Sequence, residues 1–410
     1  MLTMDIVQDQ DRFSVNTSRS QEAYSQYASG DNASRVGRAL SSATNVQADM
    51  YELYSALDFS DTEGSTVCKA LTQLSPDAYG NAALAAFDMQ RMLSDTLLSG
   101  LFARSEQKDS EWHVFVQPYA VTSDMNAPGG TRGYQSINAG LIVGAEQSRS
   151  DGLTSGGHMV MNHQSTNGDE NGALRNNGFY LGVQGNFSPS DRLFGTGRMG
   201  IENQDMTRRV SFSGYSAENR SAWTGYSGSV RVGIGYTFQQ KAFSAGPFSA
   251  LDYAFSFRPS LTEQKGEGSR LHLDSENFHF LCSVLGVRLQ TSEQYLSEQV
   301  NWSVQAYIAW NHELRENAGV MRASFATADN DDFSGTVKMP DRENVSVGTG
   351  IVFRTDKMLL SLSTVGGRFI AGTAHQYMEI SVWSGHSERL YRKEQATDKR
   401  CCRFHLSCQS

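Results

Sequence analysis

The chain of 410 residues contains 38 Gly, 16 Tyr and 21 Phe but only 7 Pro, a composition that suits many strands and turns. No run of about 18 apolar residues occurs, which excludes a transmembrane helix, and the mean hydropathy of −0.44 fits a soluble chain or a membrane β-barrel with polar lumen and loops. The formal net charge of −9 argues against a nucleic-acid partner, which would need a basic patch.

The first 31 residues show no clear structural pattern. The opening MLTMDIVQDQD has no basic n-region, no apolar h-region and no cleavage site, so no secretory signal is visible. We expect residues 1–31 to be a disordered linker.

The next segment has helical periodicity. One helix is predicted by Val46, Met50, Leu53, Tyr54 and Leu57, and Asp61 is a candidate cap for a second that carries Val67, Ala70, Leu71 and Leu74. Ser75 and Pro76 are a typical start for a third helix. That helix carries the apolar stripe Ala85, Met89, Leu93, Leu97 and Leu101. By itself, such a stripe is most simply the core contact of a helical bundle.

Residues 112–383 alternate between apolar and small or polar side chains, and turn residues separate the runs. In one run, a single face carries Trp302, Val304, Ala306, Ile308 and Trp310. Aromatic residues close both ends of this apolar face, as expected for a strand in lipid, because Trp and Tyr prefer the two membrane interfaces. The pattern predicts transmembrane β-strands.

Twelve strands fit this region, which predicts an all-β fold: a twelve-stranded antiparallel transmembrane β-barrel preceded by α-helices. Closure matters because an open sheet edge in lipid would leave backbone groups unpaired. We expect short turns such as SPSD and RTDK to face the periplasm and long loops such as 314–343 to face the exterior. The predicted strands are 111–120, 134–146, 153–164, 176–187, 191–203, 223–238, 246–258, 275–290, 300–313, 344–354, 357–366 and 374–383.

Charged residues occur on the strand face that points away from lipid. Five of them alternate with the apolar positions of their strands and are therefore assigned to the lumen: Arg198, Arg231, Asp252, Arg258 and Arg354. We therefore expect Arg231→Ser to cost far less stability than an arginine placed on the lipid face. Two runs, near Met159 and Phe278, alternate poorly.

The last strand and the tail differ in character. Met378, Ile380 and Val382 share the lipid face of the last strand, whereas Trp383 has the other parity. Residues 384–410 form a polar tail without strand alternation. This tail carries Cys401, Cys402, His405 and Cys408, but the adjacent cysteines lack the spacer of a zinc knuckle, so we expect no metal site.

No catalytic motif occurs: GxSxG, HExxH and the Walker loop are all missing. Rim-active barrel enzymes place Asp, His or Ser at the barrel rim, and the candidates of that kind are Asp151, His158, His163, Asp274 and His279. Nothing in the sequence brings a base and an orienting group together. We therefore expect neither catalysis nor a cofactor.

The order of the parts resembles the translocator domain of bacterial autotransporters. Four segments carry the resemblance, which covers nearly residues 32–383: NASRVGRALSS (32–42), ELYSALDFSDTEG (52–64), ALTQLSPDAYG (70–80) and EWHVFVQPY (111–119). In that family, a signal peptide and a secreted passenger precede a twelve-stranded barrel with a helix through its pore. The resemblance therefore implies a pore helix with Ala85, Met89, Leu93 and Leu97. From their position on the strands, we expect the lumen charges to contact this helix or to hydrate the pore.

The resemblance also implies location and partners. It implies type V secretion of an N-terminal passenger across the outer membrane of a Gram-negative bacterium. The implied partners are outer-membrane lipid, the barrel-assembly machinery, periplasmic chaperones and the passenger, with a monomeric barrel. The domains would be a passenger remnant or linker (1–31), a helical linker with the pore helix (32–110), the barrel (111–383) and an atypical tail (384–410).

Both ends of the chain depart from the family pattern. No signal is visible, and the face of Ile380 and Val382 lacks the expected terminal aromatic residue: Trp383 has the other parity, and Ser384 and His386 occupy that face instead. We expect a truncated or frameshifted chain that assembles poorly. Two other classes stay open: a freestanding outer-membrane channel or rim-active barrel enzyme, and a soluble β-rich binding protein.

Overall fold

The computed structural model describes residues 3–9, 12–43, 46–104, 112–125, 133–168, 172–187, 191–328, 332–338, 342–355, 358–369 and 374–385. Its N-terminal part contains a hairpin and four helices. They are β1 (Thr3–Asp9), β2 (Arg12–Ser18), α1 (Asp31–Ser42), α2 (Tyr51–Asp58), α3 (Ser65–Leu74) and α4 (Asp77–Arg104). Within the described residues, no helix combines the length and apolar character needed to span a bilayer.

The alternating region forms long strands, with shorter ones in the connections. The strands are β3 (Trp112–Met125), β4 (Tyr134–Ser148), β5 (Leu153–Gly168), β6 (Gly172–Phe187), β7 (Asp191–Phe212), β8 (Tyr215–Tyr236), β9 (Phe238–Gln239), β10 (Phe243–Arg258), β11 (Leu261–Thr262), β12 (Leu271–Leu273), β13 (Glu276–Thr291), β14 (Gln294–Ser297), β15 (Val300–Glu313), β16 (Asn317–Phe325), β17 (Phe333–Lys338), β18 (Glu343–Arg354), β19 (Met358–Phe369) and β20 (Ala374–Gly385).

The long strands pair into a closed ring. Among the described residues, β3 to β8, β10, β13, β15 and β18 to β20 each pair antiparallel with the next, and β20 pairs with β3. We call the end where β3 begins the short-turn end. The other is the long-loop end, which carries the connections 259–275 and 314–342.

The outer face of the ring is a belt of apolar side chains that alternate with buried inner residues. On β8, for example, Val230, Val232 and Ile234 are exposed while Ser229 and Arg231 are buried. Exposed aromatic residues lie toward the short-turn end (Trp112, Tyr236, Phe238 and Phe243) and toward the long-loop end (Tyr226, Tyr253 and Trp310). An apolar belt of this extent needs lipid rather than water around it.

The predicted fold is confirmed: an all-β ring preceded by helices, with strands at the predicted places and a strand number consistent with twelve. Several strands are longer than predicted. The β7–β8 hairpin continues past residue 203 to Phe212 and resumes at Tyr215. In this extension the apolar face changes sides, because Met206, Val210 and Phe212 are buried inside whereas Arg209 is exposed.

The segment 19–74, which we call the cap segment, packs on the long-loop end. Its helices contribute Val36, Leu40, Leu53, Leu57, Val67 and Leu71 to an apolar core that also contains Phe212, Leu273, Met321, Phe325 and Phe333 from the strands and loops. A second sheet, ordered β11-β12-β16-β17, is built from the long connections. The cap segment and the long loops therefore share one core.

The start of the chain differs from the disorder expected for residues 1–31. Residues 3–9 and 12–18 pair as a hairpin, with Ile6 opposite Val15. Tyr24 is fully buried in the shared core, and its hydroxyl donates to Asp58 Oδ1 at 2.6 Å. This packing orders the chain from residue 19 onward, whereas the side chains of Ile6 and Phe13 remain exposed.

Helix α3 begins after the N-cap residue Gly64, and Asp61, the cap candidate from the sequence, lies three residues further upstream and bonds the first turn of the helix. Asp61 Oδ2 accepts hydrogen bonds from the Thr66 hydroxyl at 2.7 Å, the Ser65 hydroxyl at 2.7 Å and the Thr66 backbone N–H at 3.0 Å. These bonds, the Thr66 hydroxyl foremost, lower the pKa of Asp61 from its ordinary 3.8 to about 2. Because the folded pKa is depressed, this cap stabilises α3 above about pH 4 and is lost as the pH falls through about 2.

A carboxyl NMR titration tests this cap. We expect the Asp61 midpoint near 2 in the native chain, and a higher midpoint in Thr66→Val, which removes the strongest donor but keeps the side-chain shape. An unperturbed native midpoint would show that Asp61 does not cap the helix.

The lipid face gives a second prediction. Val232→Arg and Ile308→Arg should each lower the free energy of unfolding in lipid vesicles by about 2–4 kcal/mol, because each places a charge in the apolar belt. Leu193→Arg, near the short-turn end of β7, serves as the control and should cost under about 1 kcal/mol. Urea titrations measure all three, and equal costs would refute the assignment of the belt to the bilayer centre.

Candidate functional site in the lumen

Helix α4 lies inside the ring. It contacts β4 to β8 and β10, and every residue from 78 to 94 is buried. A helix that is buried on all sides must lie against a wall that packs on its apolar side chains and supplies hydrogen-bond partners for its polar ones. The lumen wall around α4 is therefore the candidate functional site.

The apolar stripe of α4 packs against aromatic and aliphatic residues of the wall. Met89, Leu93 and Leu97 belong to a buried cluster that includes Phe115, Tyr119, Ile142, Val160, Tyr180 and Val352. Ala85 belongs to the core shared with the cap segment. These stripe residues thus contact strands on more than one side of the ring.

Gln90 is the centre of a polar contact between helix and wall. Arg198, buried on β7, donates from Nε to Gln90 Oε1 at 2.7 Å and from Nη2 to Ser94 Oγ at 2.9 Å. Gln90 Nε2 in turn donates to Ser227 Oγ on β8 at 3.0 Å. Neither Gln90 nor Ser94 was identifiable from the sequence, since neither lies on the apolar stripe nor carries a charge.

A buried charge group joins α4 to two neighbouring strands. Arg231 on β8 pairs with Asp95 on the helix, and its Nε donates to Asp252 Oδ2 on β10 at 3.1 Å. The side chains of Arg231 and Asp252 are 4% and 1% exposed. The expected mild effect of Arg231→Ser is therefore revised, because removing the arginine would leave two carboxylates without their partner.

The other two predicted lumen arginines lie at opposite ends of the ring. Arg258, at the long-loop end, donates to the carbonyl of Asp274 at 2.7 Å and lies 5.8 Å from the ring centroid of Tyr79 on α4. Arg354, at the short-turn end, has its Nε 2.9 Å from Glu293 Oε1. Arg258 therefore contacts α4 at the long-loop end.

Buried tyrosines make further contacts in the lumen that the residue pattern does not reveal. Tyr134 donates to Asp88 Oδ2 of α4 at 2.8 Å, and Tyr79 of α4 donates to Glu263 Oε1 at 2.8 Å. Tyr180 pairs with Glu202 on the neighbouring strand. Tyr134 and Tyr180 lie at strand positions that alternate with the lipid-facing ones, so the sequence predicts that they face the lumen. It does not predict their hydrogen-bond partners.

The rim candidates for catalysis do not meet. Asp151 lies in the turn after β4 at the short-turn end, whereas Asp274 and His279 lie toward the long-loop end. His158 is buried in the lumen wall, and His163, exposed on the outer side, lies 2.9 Å from Asn177 Oδ1. Within the described part of the chain, these five residues form no base and nucleophile pair.

The last strand closes the ring through backbone pairing on both sides. Met378 lies opposite Ala120 and Val382 opposite Val116 on β3, while Ile380 lies opposite Leu362 on β19. Trp383 lies opposite Phe115. Residues 386–410, which hold the cysteine-rich tail, lie outside the described residues.

A closed, lipid-facing ring with a helix held in a polar lumen is an outer-membrane β-barrel with an occupied pore. A family model for the autotransporter beta-domain matches residues 114–363, more than half of the chain. The chain belongs to the autotransporter beta-domain family, a family of translocators rather than enzymes. Its location is the outer membrane of a Gram-negative bacterium.

Individual relatives agree with this assignment. An extracellular serine protease of Serratia marcescens is 21% identical over 268 residues, which are 62% of this chain and 24% of the protease. The chain thus spans about a quarter of the length of that curated relative.

One solved structure shows the same fold, and a second shows similarity alone. The translocator domain of the autotransporter NalP from Neisseria meningitidis has a TM-score of 0.61 at 13% identity, covering 76% of this chain and 99% of that chain. The beta domain of the Bordetella autotransporter Brka has a TM-score of 0.45 at 13% identity, covering 68% and 99%.

Proposed function

We propose that this chain is an outer-membrane translocator that exports an N-terminal passenger polypeptide to the cell surface. The observation that carries the proposal is the direction of α4. Tyr79, near its start, bonds Glu263 in a long loop, whereas Leu98, near its end, packs with Phe194 and Ala250 toward the short-turn end. Chain that precedes α4 therefore emerges at the long-loop end.

The sidedness of the barrel follows from this direction. We place the short turns in the periplasm and the long loops outside, as in barrels generally. A chain delivered to the periplasm must then cross the lumen before residues 19–74 can reach their place. After passage, α4 remains as the plug, held by Arg198, Arg231 and the apolar stripe.

The proposed export also implies which partners the chain has. Lipid covers the apolar belt, and the passenger is the chain before the cap segment. Periplasmic chaperones and the barrel-assembly machinery would handle the strands before closure, with the β3–β20 pairing as the final seam. A closed ring has no free edge for pairing with another copy, which supports a monomer. The domains defined from the sequence remain part of this proposal, except that residues 19–31 belong to the cap segment and not to a passenger remnant or linker.

A freestanding channel or a rim enzyme is less well supported. A channel needs an open lumen, whereas α4 fills this one and is bonded to β7 and β8. A rim enzyme needs convergent side chains, and the five candidates are dispersed.

Surface display of a reporter tests the proposal. The full chain, supplied with a secretion signal and an N-terminal reporter domain, should place the reporter on intact cells. A matched fusion that ends at residue 104, without the strands, should leave the reporter in the periplasm. A periplasmic reporter attached to a barrel that shows heat-modifiable mobility would contradict the proposed function.

A further inference from the structure

An open cleft lies between helix α1 and strand β17 at the long-loop end. Its volume is about 490 Å³, a size that suits a small molecule and not a folded protein domain. We propose that this cleft binds an acidic saccharide, a sugar that carries one acidic group beside its hydroxyls. The site rests on the charges and contacts of the cleft, and only its exposure to the cell exterior rests on the proposed function.

The two walls of the cleft are fixed to each other by hydrogen bonds. Asn32, at the start of α1, donates from Nδ2 to the Thr336 carbonyl of β17 at 3.2 Å and accepts from the Thr336 N–H at 2.9 Å. Ala39 of α1 and Phe333 of β17 line the cleft, and each is only 4% exposed. The cleft is therefore preformed, so that a ligand binds without the cost of ordering its walls.

Two guanidinium groups lie on the α1 wall. Arg35 and Arg38 both line the cleft, and their spacing of one turn places them on the same face of the helix. Arg35 Nη1 donates to the Ser334 carbonyl and to the Thr336 hydroxyl, both at 3.2 Å, and both acceptors are neutral. Within the described residues, neither arginine forms an ion pair, and Nε and Nη2 of Arg35 have no acceptor. Since a carboxylate or phosphate accepts guanidinium N–H groups in pairs, this wall suits one such group.

Two carboxylates line the same cleft. Glu22 precedes α1 and Asp332 directly precedes β17, and both are exposed. In the part of the chain that the structure describes, neither is paired with a cationic side chain. An ionised carboxylate only accepts hydrogen bonds, so these groups suit the hydroxyls of a ligand and repel a second acidic group. The combination disfavours a polyanion and favours a ligand with one acidic group and several hydroxyls, which is the chemistry of an acidic saccharide.

The position of the cleft indicates where this ligand is met. Helix α1 belongs to the cap segment, whose residues share a core with the long loops. The proposed function places the long-loop end outside the cell. The ligand is therefore an acidic sugar of the cell exterior, such as a uronic acid of a surface polysaccharide.

Binding of D-glucuronate to the refolded full chain tests the site. Isothermal titration should show saturable binding. Glucose, which lacks the carboxylate, and acetate, which lacks the hydroxyls, should each bind at least about tenfold more weakly. A lack of saturable glucuronate binding would overturn the proposal, and so would equal affinity for glucuronate and acetate, because the cleft would then attract any small anion.

Substitutions on the two walls separate a saccharide site from simple charge attraction. Arg38→Gln removes an exposed side chain that bonds no other described residue, so the barrel should keep its heat-modifiable mobility while the affinity for glucuronate falls about tenfold. Asp332→Ala should also weaken glucuronate binding, because an acceptor for a hydroxyl is lost even though a negative charge is removed. Stronger glucuronate binding in Asp332→Ala would refute the saccharide assignment.

Arg209→Gln is the matched control for these variants. Arg209 is an exposed arginine on the outer side of β7 and does not line the cleft. Its replacement should leave the affinity for glucuronate at the parent value. A loss equal to that of Arg38→Gln would show that overall charge, and not the cleft, determines binding.

Intact cells test the exterior placement separately. Beads that carry glucuronate cannot cross the outer membrane, and they should retain cells that display the full chain but not cells that display Arg38→Gln. Binding by the refolded chain without retention of cells would overturn the exterior placement. Failure of the proposed function is distinguishable, because a passenger reporter would then stay in the periplasm while the refolded chain still binds glucuronate.

Discussion

A chain that begins at residue 105 should conduct ions at least about fivefold better in planar bilayers than the full chain, because removing α4 empties the lumen of a twelve-stranded ring. In the full chain, the side chains from 78 to 94 are all buried against the wall. Single-channel recording measures the difference, with both proteins provided with a signal and refolded in the same lipid.

A chain that begins at residue 75 is the control. It keeps α4 but lacks the cap segment, so its conductance should stay close to that of the full chain. Equal conductance of the full chain and the chain from residue 105 would show that α4 is not the plug.

Arg231→Met should lower the free energy of unfolding in lipid vesicles by about 3–5 kcal/mol, because it leaves the carboxylates of Asp95 and Asp252 without their shared partner. Urea titrations with the barrel inserted would measure the loss. The double variant Arg231→Met/Asp252→Asn should recover a substantial part of the lost free energy, since it removes one of the two carboxylates that no longer have a partner.

Arg209→Met supplies the matched control for this prediction. Arg209 is exposed on the outer side of β7, where its Nε lies 3.3 Å from Glu218, and exposed pairs contribute about 0–1 kcal/mol. Should Arg231→Met prove as mild as Arg209→Met, the buried charge group would not hold the helix.

The β-barrel fold and the places of its strands were predictable because a strand in lipid repeats with period two. The predicted strands are too short where the observed strands continue beyond the membrane. Beyond residue 203 the apolar residues of β7 face inward onto the cap segment. A search for strands with apolar residues on the outer face therefore ends the strand too early. The poor alternation near Phe278 has the same cause, since Phe278 and Phe280 are buried inside and Phe280 stacks on Phe87 of α4.

The contacts inside the lumen were only half predictable. The alternation of strand positions predicts which residues face inward, but it cannot show which wall residue meets which helix residue, because that depends on the rotation and depth of α4. Gln90 illustrates the limit: a neutral residue off the stripe receives a bond from Arg198 and donates one to Ser227. The role of the helices before α4 as a docked cap segment likewise depends on loops distant in sequence.

Sidedness of two engineered cysteines is the most direct test of the central claim, that the chain before α4 has crossed the lumen. In a background without native cysteines, Lys69→Cys lies on the exposed side of α3 and Ser150→Cys lies in the exposed turn after β4. A membrane-impermeant maleimide should label Lys69→Cys on intact cells, and Ser150→Cys only after the outer membrane is permeabilised. Labelling of both on intact cells, or of Ser150→Cys alone, would contradict the account.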